Sequence, residues 1–161
     1  MQNRTFTVRR AGVAEAEDAF DLIDEYCAEI GVVVRDSRAE LEQYRTGKGS
    51  GIWLAWPDGD DDPDGEAAMG CIVLRPLSQF ENAGEIKRLY VRQSYRGAGV
   101  ASAMLLALEQ YAAAQGMDSL YLDTKEDLLA AIRFYERSGY GHCERYNDNP
   151  QATIFMRKRL R

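Results

Sequence analysis

The stretch Arg96-Gly97-Ala98-Gly99-Val100-Ala101 has residue types and spacing suited to chemistry on an anion. Two glycines one residue apart carry no Cβ, so amide N–H groups can turn inward and a phosphate can come close. The residues that follow read as a helix start. That adds unpaired donors and about half a unit of positive charge. Two other readings compete. One is a plain loop with glycines for tight geometry. The other is a dinucleotide-binding turn, Gly97-x-Gly99-x-x-Ser102, with Asp123 at the end of a later strand imitating the ribose-binding acid. That turn lacks its third glycine, and four residues, Arg92 to Tyr95, separate the strand from Arg96. A Walker phosphate loop is excluded, because no Gly-Lys-Ser/Thr follows.

The elements around the turn come from periodicity. Ile86 to Val91 is an apolar, β-prone run. Val100, Ala103/Met104, Ala107/Leu108 and Tyr111 recur at helical spacing, and Gly116 caps that helix. Upstream, Phe6 to Arg9 reads as a strand, and a helix runs from about Ala14 to Ile30 with Gly31 as its stop. A weaker helix runs from Ser37 to Thr46, with Ser37 and Glu40 as a capping box. Ile52 to Trp56 and Ala67 to Leu74 are strands. Between them, Pro57 to Glu66 is rich in carboxylates but fails the calcium-loop pattern and reads as a solvated hairpin connection. Downstream come a strand at Ser119 to Thr124, a helix from about Asp127 to Gly139, and a terminal antiparallel pair, Gly141 to Tyr146 and Ala152 to Met156. The order β-α-α-β-β-β-α-β-α-β-β implies an α/β (α+β) fold with a mixed sheet flanked by helices.

The 161 residues fit one domain, 1–161, with 45% hydrophobic and 29% charged residues. No apolar leader or membrane-length run occurs, and Cys27, Cys71 and Cys143 are scattered, which suggests reduced thiols in a cytoplasmic protein. No metal site is expected, because His142 is the single histidine and no Cys-x-x-Cys occurs. No Gly-x-Ser-x-Gly elbow accompanies His142, so a serine hydrolase is not indicated. A net charge of −6 argues against nucleic acid as the main partner. It also leaves the binding of an anionic cofactor to local groups: the turn amides, Arg96 and Arg92. The basic end, Arg157 to Arg161, reads as a solvated strand end.

Arg96-Gly97-Ala98-Gly99-Val100-Ala101 resembles the Arg/Gln-x-x-Gly-x-Gly/Ala signature of the GNAT superfamily of acyl-CoA-dependent N-acetyltransferases. Tyr135-Glu136-Arg137-Ser138-Gly139-Tyr140 is similar to the family's Tyr-Glu-Lys-x-Gly-Phe ending, and Glu85 to Val91 to its fourth strand. The matches span residues 85 to 140 in order and register. The resemblance implies a mostly antiparallel sheet whose fourth and fifth strands splay apart to admit acetyl-CoA. It implies pantetheine along Leu89, Tyr90 and Val91, and pyrophosphate at Arg96, Gly97, Ala98, Gly99, Val100 and Ala101. One departure stands out. Leu128 occupies the position of a frequent cofactor-holding Asn, with Ala131 as the Ala three residues on.

The implied reaction moves the acetyl group of acetyl-CoA to a primary amine of a small molecule or peptide, by direct attack through a tetrahedral intermediate. An alkylamine has a pKa of about 10.4, so a base must remove its proton. Glu85 lies where some family members carry a glutamate base. The oxyanion needs a fixed donor, which the backbone N–H groups of a bulged strand supply. Tyr135 is the candidate acid for the leaving thiolate. The acidic balance suits a cationic amine, with Trp53, Trp56 and Tyr44 as either pocket or core. A non-catalytic acyl-CoA sensor is the alternative, and homodimerisation is left open.

Overall fold

A computed structural model describes residues 5–59 and 68–160. The chain runs β1 (Phe6–Arg10), α1 (Ala16–Ile30), α2 (Arg38–Thr46), β2 (Gly51–Pro57), β3 (Gly70–Pro76), β4 (Ala83–Val91), α3 (Val100–Ala114), β5 (Ser119–Thr124), α4 (Leu129–Arg137), β6 (Gly141–His142) and β7 (Ile154–Arg159). The element order is the expected one. The carboxylates of the Pro57 to Glu66 connection lie, from Asp60 on, outside the described residues.

Seven strands form one sheet in the order β1-β2-β3-β4-β5-β7-β6. Every described pair is antiparallel except β4 with β5. The apolar runs of β2 and β3 do not alternate with polar residues because both faces of these strands are covered. Ile52, Leu54, Cys71 and Val73 pack with Phe20, Leu22, Ile23 and Leu41 of α1 and α2. Trp53, Ala55, Ile72 and Leu74 pack with Met104, Leu105 and Leu108 of α3 and Tyr135 of α4. Period-two alternation therefore feeds two apolar layers. Each fully buried Leu or Ile contributes about 1.5–3 kcal/mol.

Local signals end the helices. Gly31 takes φ 71° after α1, and the Val32 N–H donates back to the Cys27 carbonyl at 2.9 Å. Ser37 accepts from the Glu40 N–H at 3.2 Å, which is one half of the expected capping box. The terminal pair differs from expectation. β6 has two residues, and residues 143–153 form a long connection. Arg145 holds that connection by donating to the carbonyls of Asn147, Asn149 and Ala152.

β4 pairs with β5 only over Ala83–Ser119, Gly84–Leu120 and Glu85–Tyr121. Beyond Glu85 the strands part, which is the splay expected of them. β4 also slips against β3. Cys71 faces Tyr90 while Val73 faces Lys87, so one extra residue sits on β4. Arg88 takes the bend at φ 56°, a left-handed conformation costly for a non-glycine residue. Behind the bulge, the Cys71 thiol donates to the Arg88 carbonyl at 3.3 Å, and complete burial pushes that thiol far up, so it stays protonated.

Tyr140 closes α4 onto the core at 3% exposure, and its hydroxyl has no partner among the described residues. An unpaired buried hydroxyl costs about 1–3 kcal/mol of desolvation. Tyr140→Phe should therefore leave the free energy of unfolding, measured in urea, unchanged or raise it by up to about 1–3 kcal/mol, within one cooperative transition. A drop of more than about 1 kcal/mol would show that the hydroxyl is paired.

Candidate active site

Three cavities follow one another along the gap between β4 and β5. The first, about 270 Å³, lies against the glycine turn and is lined by Leu89, Val91, Arg96, Gly97, Val100 and Ala101, with Ala131 and Phe134 of α4 opposite. The second, about 70 Å³, is the narrow cleft in the fork, where Leu89 and Ala131 meet Tyr26, Arg88, Asp123 and Tyr135. The third, about 490 Å³, opens beyond it between α1, β4, β5 and the 143–153 connection. Leu89 and Ala131 join the first two, and Lys87, Arg88 and Asp123 join the last two.

The glycine turn opens a helix start with its amides uncovered. A 3-10 turn over Gln93–Tyr95 carries the chain out of β4. Gly97 and Gly99 then take φ 85° and 84°, and Gly99 is the N-cap of α3 with no side chain to cap it. The first helical N–H groups lack intrahelical acceptors. Residues 96 to 99 are exposed, and the space above both glycines is open.

The neighbouring arginines are already engaged. Arg96 donates to the Val91 carbonyl at 2.7 Å and pairs with Glu29 at 2.9 Å. Arg92 pairs with Glu25 at 2.8 Å and donates to the Ala68 carbonyl. Both brace the turn against α1, so the donors facing an anion are mainly backbone amides. Leu89 and Val91 line the groove. Tyr90 belongs to the other face, edge-on to Tyr26 at 6.2 Å, and Ala98 lies between the two left-handed glycines.

Glu85 is 1% exposed, at the last paired position before the fork. Its Oε1 accepts from Arg75 Nε at 2.7 Å, and its Oε2 accepts from the Tyr146 hydroxyl at 2.7 Å. It does not line any of the three cavities. Burial first, and then the Glu85 charge, push the Tyr146 phenol far up, so it donates to Glu85 rather than ionising.

Tyr135 does line the cleft. Its ring packs edge-on to Tyr140 at 5.6 Å, and burial pushes its phenol well above 10, leaving it a neutral donor. Asp123 is the carboxylate lining both the cleft and the outer cavity, and Asn147 donates to its Oδ2 at 2.6 Å. Leu128 caps α4 and lines the same two cavities, where an Asn would have supplied a polar group.

The aromatic trio divides. Trp53 is core, against Tyr111 at 5.2 Å, and Trp56 carries Arg9 over its ring at 4.6 Å. Tyr44 is buried and donates to Asp36 at 3.0 Å. None of the three lines the cavities along the fork. Sequence reasoning gave no acceptor-site role to Lys87, Tyr26 and Asn147, gave no partner role to Tyr146, and placed no bulge at Arg88. Among the described residues no cluster of metal-ligating side chains occurs, and no helix is long and apolar enough to cross a membrane.

This arrangement has counterparts. An uncharacterized N-acetyltransferase of Schizosaccharomyces pombe is 31% identical over 150 residues, which is 89% of this chain and 87% of that one. An acetyltransferase of the GNAT family from Staphylococcus aureus superposes with a TM-score of 0.79 at 19% identity, covering 98% of this chain and all of that one. N-acetylglutamate synthase from Neisseria gonorrhoeae, complexed with coenzyme A and N-acetyl-glutamate, superposes with a TM-score of 0.75 at 17% identity, over 98% of this chain and 35% of that one. The acetyltransferase (GNAT) family matches residues 16–140. The splayed strands, the glycine turn and that match together make the chain an acyltransferase of the GNAT family.

Proposed function

We propose that the protein transfers the acetyl group of acetyl-CoA to a primary amine of a small molecule or peptide. The observation that carries this reading is the run of three cavities through the fork, with a phosphate-suited turn at one end and a wide cavity at the other. The diphosphate binds the amides of Gly97, Gly99 and the first turn of α3. Pantetheine lies along Leu89, Tyr90 and Val91, where β4 has lost its strand partner and its amide groups can pair with those of the cofactor. The thioester then reaches the cleft.

The amine enters from the outer cavity. Its nitrogen lone pair forms a bond to the thioester carbon, and the carbonyl electrons move to oxygen. Backbone N–H groups at the bulge of β4 stabilise that oxyanion. The intermediate collapses, the C–S bond breaks, and the thiolate takes a proton. Tyr135 is the donor beside it, kept protonated by its burial.

The amine proton goes to a carboxylate. Glu85 lines none of the three cavities and neither does Tyr146, whose hydroxyl bonds to Glu85 Oε2, so Glu85 serves only through a relay that includes Tyr146 and water. Asp123 is a second reading, favoured because its side chain lines both the cleft and the outer cavity.

Gly99→Glu tests the turn. A side chain at φ 84° is strained, but no neighbour lies within 4 Å of its Cβ, so the fold should persist while CoA binding by calorimetry is lost. Undiminished affinity would place the diphosphate elsewhere.

Two carboxylate variants separate the proton routes. If Glu85 acts through Tyr146, then Glu85→Gln and Tyr146→Phe should slow thiol release alike, most at low pH. If Asp123 is the acceptor, Asp123→Asn should do so instead. Glu85→Gln should in either case lower the stability to urea, because Arg75, itself partly exposed, loses its charged partner, a loss of about 1.5–3 kcal/mol.

Tyr135→Phe keeps the ring and removes the proton donor. Turnover should fall on the order of ten- to a thousandfold, with a much smaller change in CoA affinity. Full activity in this variant would assign protonation of the thiolate to water or another group.

A further inference from the structure

Four cations line the outer cavity: Arg75, Lys87, Arg88 and Lys125. Three of them have close partners. Arg75 is held by Glu85 at 2.7 Å, Arg88 by Asp36 at 2.9 Å, and Lys125 donates to the Ile30 carbonyl at 2.9 Å. Lys87 differs. Among the described residues it donates no hydrogen bond, and the carboxylate oxygen beside it, Glu85 Oε1, is 3.8 Å away and already bonded to Arg75. That separation is too long for a hydrogen bond.

The charges do not balance locally. The four cations share three carboxylates, Glu85, Asp36 and Asp123, the last of which lines the same cavity. The wall keeps an excess positive charge, carried on an ammonium whose side chain is only 17% exposed. Burial pulls the Lys87 ammonium below its ordinary value. Glu85 and, more weakly, Asp123 oppose that shift, while Arg88 and Arg75 add to it. A group in this position gains from an anion that replaces its lost water. The overall charge of −6 does not decide the matter, because the field inside the cavity is set by groups within about one Debye length of 8–10 Å.

Position narrows the ligand further. Lys87 and Arg88 line both the outer cavity and the cleft that receives the thioester, and so does Asp123. A cationic wall and a carboxylate thus flank the reaction point. A short molecule with an amine and an anion a few bonds apart fits both poles. A long polyamine would place positive charge against the wall.

We propose that the acceptor is an amino acid, or an amine with a carboxylate a few bonds away, whose carboxylate docks on Lys87 beside Arg88 and Arg75. This rests on the N-acetyltransferase reading above and names the substrate class for it. The amine then lies toward Asp123 and Tyr135, in line with the thioester. The cavity of about 490 Å³ accommodates a molecule of this size with its side chain toward Val33, Val34 and Pro150.

The test is thiol release from acetyl-CoA with the twenty L-amino acids, their α-amides, taurine and a set of diamines. At least one free acid should exceed its own amide by tenfold or more in kcat/KM. Lys87→Met should collapse that acid-to-amide ratio toward one, and Lys87→Arg should retain most of it. CoA affinity measured on each variant reports whether the cofactor groove is intact.

A diamine, an amide or taurine outperforming every free acid would overturn the assignment. So would an acid preference unaltered in Lys87→Met. If no amine in the panel releases thiol, the N-acetyltransferase reading fails on its own. Calorimetry of the same free acids and amides on the CoA-loaded protein then decides the anion site. Binding of an acid but not its amide upholds it, and binding of neither removes it.

Discussion

The parting of β4 and β5 after three paired residues is the constraint on which this structure depends. Parallel strands that diverge leave ladder groups without neighbours, and buried backbone groups without partners are costly. The fork is therefore braced. Glu85 sits at its vertex, tied on one side to Arg75 of β3 and on the other to Tyr146 of the 143–153 connection. The bulge at Arg88 bends β4 away, and the pair Arg88–Asp36 holds the bend against the segment between α1 and α2. Burial disfavours the Asp36 charge, but the Arg88 guanidinium and the Tyr44 hydroxyl outweigh it and keep the carboxyl below its usual range. That pairing contributes stability above the ordinary carboxylate range and loses it as pH falls.

Local electrostatics override the overall charge at both ends of the channel. At the glycine turn, the carboxylates of Glu25 and Glu29 on α1 occupy the two arginines, which leaves backbone amides to face solvent. At the outer cavity, the surplus of cations gives an acidic protein a positive wall. Counting charges along the chain misses both, because pairing depends on which residues the fold brings within about 4 Å.

Much of the fold was legible in the sequence because its signals are local. Glycines at 31, 97, 99, 116 and 139 mark left-handed positions, and each sits where the chain changes direction. The apolar periods of α1 and β5 set those elements to within two residues. The bulge was not legible at its place, since an arginine holds the left-handed position that a glycine would advertise. Nor were the partners of Glu85. A carboxylate opening a strand is visible, but its clamp comes from residues 10 and 61 positions away. The short β6 escaped for a related reason. Gly141 to Tyr146 carries strand-like residues, yet Tyr146 is drawn off to the fork and Asn147 to Asp123, so pairing with β7 ends with the bond from the Cys143 N–H to the Phe155 carbonyl.

A continuous sheet separates the two apolar layers it carries. Here the separation has a window: Tyr26 of α1 and Tyr135 of α4, one from each layer, border the same cleft. Whatever threads that window touches both layers at once and acts as a rivet between them. It then stabilises the whole molecule by mass action, about 2.7 kcal/mol at a hundredfold excess over its dissociation constant. The empty and filled proteins thus differ in cohesion as well as in occupancy.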